Sequence, residues 1–534
     1  MILWITLFFS LMLSIPCIQA GWAEETLKSM TLEEKLGQLF MIEVRPELGS
    51  EHLQEVERLI TEHHIGGLIF FKGLMQQQVE LVNYFQVTSK HPLLIGQDAE
   101  WGLSMRLTDA PRFPKNMTLG ALQKDALIIL LGQEIARQCR ALGVHVNFAP
   151  VVDINSNPDN PIIGVRSFGD AKRKVALKGG LFALGLESGG VLACAKHFPG
   201  HGDTSVDSHT ALPLLEHSWK RLNDVEIFPF EVLIEQGLRA VMTAHLTVPA
   251  LDASNLPATL SRPIVTDLLR KKLGFDGLIF TDGMNMKAIT NTFGVPQAAL
   301  RAIKAGCDIV LCPPDVRDSI AYIMGKIKKD HVLHNELNDH VLRVLRAKEW
   351  CGLDQARLVS SEGLHERVHH ADLPFFKKAL FQEAVTLLNN RDGKVPLDKA
   401  ESVFIIDVGG GADSLNQDNK MYCALDDNSR TAMNIIEKSF DYKVAVVRLF
   451  AASKEQSFFG KMPSLSPVVQ ELLEGLALFH RNVIFVVCMS PYVLQHLPQY
   501  PTIVAYENDP DAVQAAMDVL WGRAQAPGVL PISL

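Results

Sequence analysis

Gly190-Val-Leu-Ala-Cys-Ala-Lys-His-Phe-Pro-Gly-His-Gly-Asp-Thr-Ser-Val-Asp-Ser-His209 opens on an uncharged, mostly apolar run and closes on three histidines and two aspartates. The first part is short and continuously apolar, which reads as a strand buried on both faces, the kind found in parallel sheets covered by helices. The second part sets titratable groups where that strand ends. Ionisable side chains are expensive to bury, and their concentration at one strand end is what a reaction centre requires.

The same pairing of apolar run and polar end recurs outward along the chain. Strand-like runs stand at Gly67-Leu-Ile-Phe-Phe71, Leu93-Leu-Ile95, Val144-His-Val-Asn-Phe-Ala149, Val191-Leu-Ala-Cys194, Ala240-Val-Met-Thr-Ala244, Gly277-Leu-Ile-Phe280 and Asp308-Ile-Val-Leu311. Stretches such as 128–142 and 264–273 separate them and carry helical periodicity. Ahead of the first run, Thr31-Leu-Glu-Glu34 has the spacing of a capping box and is expected to start an amphipathic helix through Lys35-Leu-Gly-Gln-Leu-Phe-Met41. Alternating β and α units over residues 21–355 predict a (β/α)8 barrel of the TIM type. Five of the runs end in polar groups: Asp98 with Glu100, Asp153 with Asn155, Lys196 with His197, then His245 and Asp282. In a parallel barrel all strand C-terminal ends share one face, where these groups are expected to converge.

Past residue 355 the pattern changes. Residues 356–375 read as a linker and 376–534 as a smaller α/β sandwich domain, with strand-like runs at 402–406, 443–447, 482–487 and 502–505 and a helix over 375–384. Gly409-Gly-Gly411 follows the first of these runs. It lacks the Gly-Lys-Ser/Thr of a phosphate loop and the Rossmann glycine spacing, so it reads as a turn.

Composition narrows the class. A chain of 534 residues exceeds what one core usually organises, and 47% hydrophobic with 21% charged residues excludes extensive disorder. A net charge of −9 without a basic cluster argues against nucleic acid as a partner. Residues 1–15 are uncharged and almost wholly apolar and are followed by Pro16, Cys17 and Ala20, so residues 1–20 read as a signal peptide. The chain is then expected to be secreted or periplasmic, with no transmembrane span after signal removal; anchoring through an uncleaved signal or a lipidated Cys17 is the alternative. Seven further cysteines, an odd number, lie largely in apolar runs without a Cys-x-x-Cys, which points to buried free thiols and to no structural zinc.

The Lys196-to-Asp203 motif resembles the signature of the β-N-acetylhexosaminidases of glycoside hydrolase family 3, the NagZ-like group. Met30-Thr-Leu-Glu-Glu-Lys-Leu-Gly-Gln-Leu-Phe40, Asn147-Phe-Ala-Pro-Val-Val-Asp153, Arg166-Ser-Phe-Gly169, Phe275-Asp-Gly-Leu-Ile-Phe-Thr-Asp282 and Ala305-Gly-Cys-Asp308 are similar to barrel motifs of that family. Leu387-Leu-Asn-Asn390 and Gly528-Val-Leu-Pro531 resemble its α/β sandwich domain. The resemblance implies hydrolysis of a terminal β-linked N-acetylglucosamine with retention of configuration, peptidoglycan fragments being the expected source, and no cofactor or metal. It matches Asp282 to the nucleophile and Asp207 with His209 to an acid/base dyad. It also matches Arg166, Lys196 and His197 to contacts with the sugar hydroxyls and acetamido group, and Asp98 to a hydroxyl acceptor. Two departures stand out: Thr281-Asp-Gly283 where Ser-Asp-Asp is usual, and Asp98-Ala-Glu-Trp-Gly102 where Asp-x-Glu-Gly-Gly is usual.

These residue types suit that chemistry. A retaining mechanism needs a carboxylate at the anomeric carbon and a proton donor at the leaving oxygen, and a histidine held by a carboxylate can carry the proton near neutral pH. Two other readings use the same residues. His197, His201, Asp203, Asp207 and His209 could ligate a metal in an amidohydrolase-like barrel, although Gly200 and Gly202 argue for a loop rather than a rigid ligand platform. A non-catalytic sugar- or cell-wall-binding protein could keep the barrel, but has no use for Asp282, Asp207 and His209 together. A β-glucosidase of the same family is a further alternative.

Overall fold

The computed structural model describes residues 21–534 apart from 207–211, 329, 399, 410–419, 426–428, 452–464 and 481, with backbone only at 420–425 and 429–430. Eight parallel strands form the first sheet: β1 Phe40–Val44, β2 Gly67–Phe70, β3 Leu94–Gln97, β4 Val146–Asn147, β5 Leu192–Phe198, β6 Ala240–Thr243, β7 Leu278–Phe280 and β8 Val310–Leu311. Each pairs with its sequence neighbour, and β1 also pairs with β8. One parallel bridge, Phe280 to Ile309, joins β7 to β8 and closes the ring, with Thr281 donating its N–H to the Ile309 carbonyl at 3.0 Å. The strands are short and apolar because both faces are covered, by helices outside and by side chains such as the edge-to-face pair Phe148 and Phe280 inside.

Two local expectations are corrected. The capping box forms, with Thr31 accepting from the Glu34 N–H at 3.3 Å and Glu34 accepting from the Thr31 N–H at 2.8 Å, but the helix covers only Leu32–Gly37. Residues 40–44 form β1, the strand on which closure depends. A short apolar run satisfies a helix face and a doubly buried strand equally well, so periodicity cannot separate them. The second correction concerns β5, read from the sequence as ending at Cys194, which continues to Phe198, so Lys196 and His197 are buried strand residues rather than residues past its end.

Residues 359–368 fold back on the barrel. Val359 exchanges hydrogen bonds with Asn83, and the helix Leu364–Val368 buries both of its end residues. A second helix, Leu373–Ala384, leads into a six-stranded sheet of order β11-β10-β12-β13-β14-β9. Its strands are β9 Thr386–Leu388, β10 Val403–Val408, β11 Lys420–Leu425, β12 Val444–Phe450, β13 Val483–Cys488 and β14 Thr502–Val504. All run parallel except β9, which pairs antiparallel with β14. Alternate residues serve two cores: Val403, Ile405, Val444 and Val446 pack with the helix Pro510–Leu520, while Phe404, Ile406, Ala445 and Val447 join the core that includes the barrel. The chain ends on the barrel, where Val529 donates to the Ala121 carbonyl and Asp170 to that of Pro531. Cys139, Cys194, Cys307, Cys312, Cys351 and Cys488 are free and buried. Among the described residues no helix is long and apolar enough to cross a membrane.

Candidate active site

The motif after β5 is shaped by Asp153, which follows β4. One of its carboxylate oxygens accepts the backbone N–H groups of His197 (3.2 Å) and His201 (2.7 Å), and the other meets Nδ1 of His197 at 2.7 Å. Asp153 is fully buried, yet His197 and the His201 N–H hold its carboxyl below the usual carboxylate range against the effect of burial. An ionised Asp153 requires the proton of a neutral His197 to sit on Nδ1, leaving Nε2 as the nitrogen available to a ligand. Two glycines make the tight course possible. Gly200 has φ +134° and a Cβ there would lie 2.8 Å from Glu226 Cβ, while a Cβ at Gly202 would lie 1.8 Å from the Ile154 carbonyl oxygen. Burial pushes His201 down to about 4, so it is neutral at pH 7, and its Nδ1 meets Thr204 Oγ1 at 2.7 Å.

Lys196 reaches from β5 to two carboxylates beyond β3, with Nζ 2.9 Å from Asp98 Oδ1 and 2.9 Å from Glu100 Oε1. Arg166 forks onto Glu100 at 2.7 and 3.0 Å, and Arg106 pairs with the second oxygen of Asp98. Burial alone would neutralise these groups, but mutual attraction prevails: Glu100 falls to about 2, Asp98 lies well below its ordinary range, and Lys196 is held above its own. All are ionised at neutral pH. A buried ion network is weak as a source of stability, because desolvation cancels most of the Coulomb gain. Its value is a rigid array of charged donors and acceptors able to replace the water around a hydroxyl-rich ligand.

Asp282 follows β7. Its backbone N–H donates to the Thr243 carbonyl at 3.2 Å, and its Oδ1 accepts from the Gly283 N–H at 2.7 Å. His245, two residues past β6, braces this turn, with Nε2 3.1 Å from the Gly283 carbonyl and Nδ1 2.9 Å from Thr259 Oγ1. A cavity of about 400 Å³ at the C-terminal ends of the strands is lined by Asp98, Arg166, Lys196, His197 and Asp282, so five of the predicted site residues share one space. Glu100 and His201 line it too, with Met242 and Met286 as apolar wall. Asp207 and His209 lie outside the described residues. A second cavity, of about 360 Å³, lies between Leu192, Leu238, Phe275 and Trp350 and contains none of these groups.

Trp101 is buried beneath the Lys115 ammonium, 5.2 Å from its ring, and packs rather than walling the cavity. Arg106 and the bridging role of Asp153 escaped sequence reasoning. Asp153 carried the signal of a polar residue after a strand, whereas Arg106 carried none. Among the described residues His197, His201 and Asp203 do not come together as one ligand set: His197 engages Asp153, His201 engages Thr204, and Asp203 pairs with His217 at 2.7 Å.

Comparison with known proteins bears on the family and the fold. The glycosyl hydrolase family 3 N terminal domain matches residues 31–347. A beta-hexosaminidase A of Pseudoalteromonas piscicida is 32% identical over 424 residues, covering 71% of this chain and 70% of its own. A beta-hexosaminidase of Mycobacterium tuberculosis is 35% identical over 298 residues, covering 52% of this chain and 72% of its own. Among solved structures, a family 3 β-N-acetylglucosaminidase from Paenibacillus sp. superposes with a TM-score of 0.80 at 32% identity, covering 95% of this chain and 99% of that one. With a barrel that places its polar groups at one mouth and a match over more than half its length, the chain belongs to glycosyl hydrolase family 3.

Proposed function

We propose that this enzyme is a retaining exo-β-N-acetylglucosaminidase. Asp282 attacks the anomeric carbon to form a covalent glycosyl-enzyme while a proton reaches the leaving oxygen from His209, supported by Asp207. Water then attacks the same carbon as the histidine takes a proton back, which restores both groups. The observation that carries the reading is the shared cavity, lined both by Asp282 and by the ionised Asp98, Lys196, Glu100 and Arg166 array. Held ionised, Asp98 can only accept hydrogen bonds, as a sugar hydroxyl needs, while Arg166 and Lys196 only donate. The cavity volume lies near the lower end for small-molecule sites, which suits recognition of a chain end. The hexosaminidase names of its relatives support an N-acetyl sugar, and we assign muropeptide fragments as the source of that sugar in an exported enzyme.

The test is release of p-nitrophenol from its β-N-acetylglucosaminide and its β-glucoside by the wild type and Asp282→Ala over pH 5 to 8. Preference for the N-acetyl substrate, with turnover lowered by about 10³-fold or more in the variant, is the expected outcome. Equal or better cleavage of the glucoside makes the enzyme a β-glucosidase. No turnover of either sugar removes the catalytic reading. Comparing a muropeptide disaccharide with chitobiose then tests the leaving group.

A further inference from the structure

Beside the cavity, Asp203, His217 and Glu226 each bring one ligand-type atom to within 4.8 Å of the others. His217 Nε2 lies 2.7 Å from Asp203 Oδ2, and Arg221 donates from Nε (3.1 Å) and Nη2 (3.0 Å) to a single oxygen of Glu226. Its other oxygen, Oε2, is buried and has no hydrogen-bond partner among the described residues. The Glu226 side chain is only 3% exposed. A buried carboxylate oxygen left unpaired carries a desolvation penalty that a native fold normally relieves. Arg221 offsets only part of it, since it serves Oε1 and stands 3.8 Å from Asp203.

We propose that Asp203, His217 and Glu226 form a binding site for a divalent transition-metal cation of the Zn²⁺ class. One imidazole and two carboxylates suit such an ion better than Mg²⁺ or Ca²⁺, which favour all-oxygen shells. Ligands on a tetrahedral zinc stand about 3.4 Å apart for bonds of about 2.1 Å. Binding therefore requires a contraction toward Glu226 of up to about 1.4 Å from the 4.8 Å limit, and the opening of the 2.7 Å His217 to Asp203 hydrogen bond. A metal taking the unpaired Oε2 would leave Arg221 on Oε1. Asp203 and His217 flank, in sequence, the segment holding Asp207 and His209, so a cation here ties both ends of that segment to Glu226. Its bearing on turnover rests on the function proposed above, but binding itself does not.

Metal-stripped full-length enzyme is dialysed against buffered Zn²⁺, and bound metal and Tm are both measured. The expected result is about one equivalent bound at about 10 μM free Zn²⁺, with a rise in Tm. His217→Ala and Glu226→Gln, shown to be folded by circular dichroism, are expected to weaken binding by at least about tenfold. Wild-type binding well below one equivalent overturns the proposal without any variant being needed. Stoichiometric binding that survives both substitutions also overturns it, by moving the zinc to another group such as a cysteine.

Discussion

At the scale of single residues, Glu100 is the hinge of the site's electrostatics. It is the common partner of Arg166 and Lys196, so Glu100→Gln leaves two buried cations short of charge. We expect kcat/KM toward the N-acetylglucosaminide to fall by about 10²-fold, as when one member of a buried charge pair is truncated. Steady-state kinetics on the folded variant checks this. The same residue predicts acid sensitivity. Its folded value of about 2 lies below the ordinary 4.5, so its contribution to stability is complete above pH 4.5 and drains away as pH falls toward 2. Thermal melts at pH 5 and pH 3 should therefore show a larger loss for the wild type than for Glu100→Gln. An equal loss would mean that other carboxylates dominate acid unfolding.

At the scale of elements, the start of β8 is locked by Asp308. It accepts from His340 Nδ1 (2.7 Å), Arg343 Nε (2.8 Å), the Ile279 N–H (2.8 Å) and Arg270, joining β7, β8 and the helix His331–Trp350. Arg270 and Arg343 hold its carboxyl far below the usual range although burial opposes this. The lock matters because β7 and β8 meet through one isolated bridge and a few backbone hydrogen bonds around it, not through a regular ladder. Asp308→Ala strands these cations and is expected to cost about 3–5 kcal/mol, lowering Tm by on the order of 10 °C. Lying at the strands' N-terminal ends, opposite the cavity, it should leave the kcat of the folded fraction within about twofold. A normal Tm in calorimetry would refute the lock.

At the scale of the whole molecule, the second domain props the barrel's site from outside. Tyr492 accepts from Asn155 Nδ2 at 2.6 Å and donates to its carbonyl at 3.2 Å, and Asn155 in turn accepts from the Gly164 N–H at 2.9 Å, two residues before Arg166. Nearby, Glu507 accepts from Arg112 (2.8 Å), the Lys115 N–H (2.7 Å) and Thr118 (2.7 Å). Removing this buried acceptor in Glu507→Ala leaves three donors short, a loss of about 3 kcal/mol at roughly 1 kcal/mol each. Calorimetry should then resolve two transitions in place of one, with the second domain melting first. A single unshifted transition would show that apolar packing alone couples the domains.

Barrel and site were legible where the information is local. Short apolar runs at 67–71, 93–95, 191–194 and 277–280 announce doubly buried strands, and parallel topology then sends every strand end, with Asp98, Lys196, His197 and Asp282, to one mouth. The residue types alone set the chemistry available there. The tertiary structure decided what depends on partners distant in sequence. Phe40–Val44 is a strand because β2 and β8 flank it, and Thr386–Leu388 because β14 lies alongside. Asp153 clamps His197 and His201 from more than forty residues away, and Glu226 meets Asp203 and His217 only in the folded chain. Hydrophobic periodicity records which faces are buried, while charge pairing records which residues meet, and only the folded chain brings the latter together.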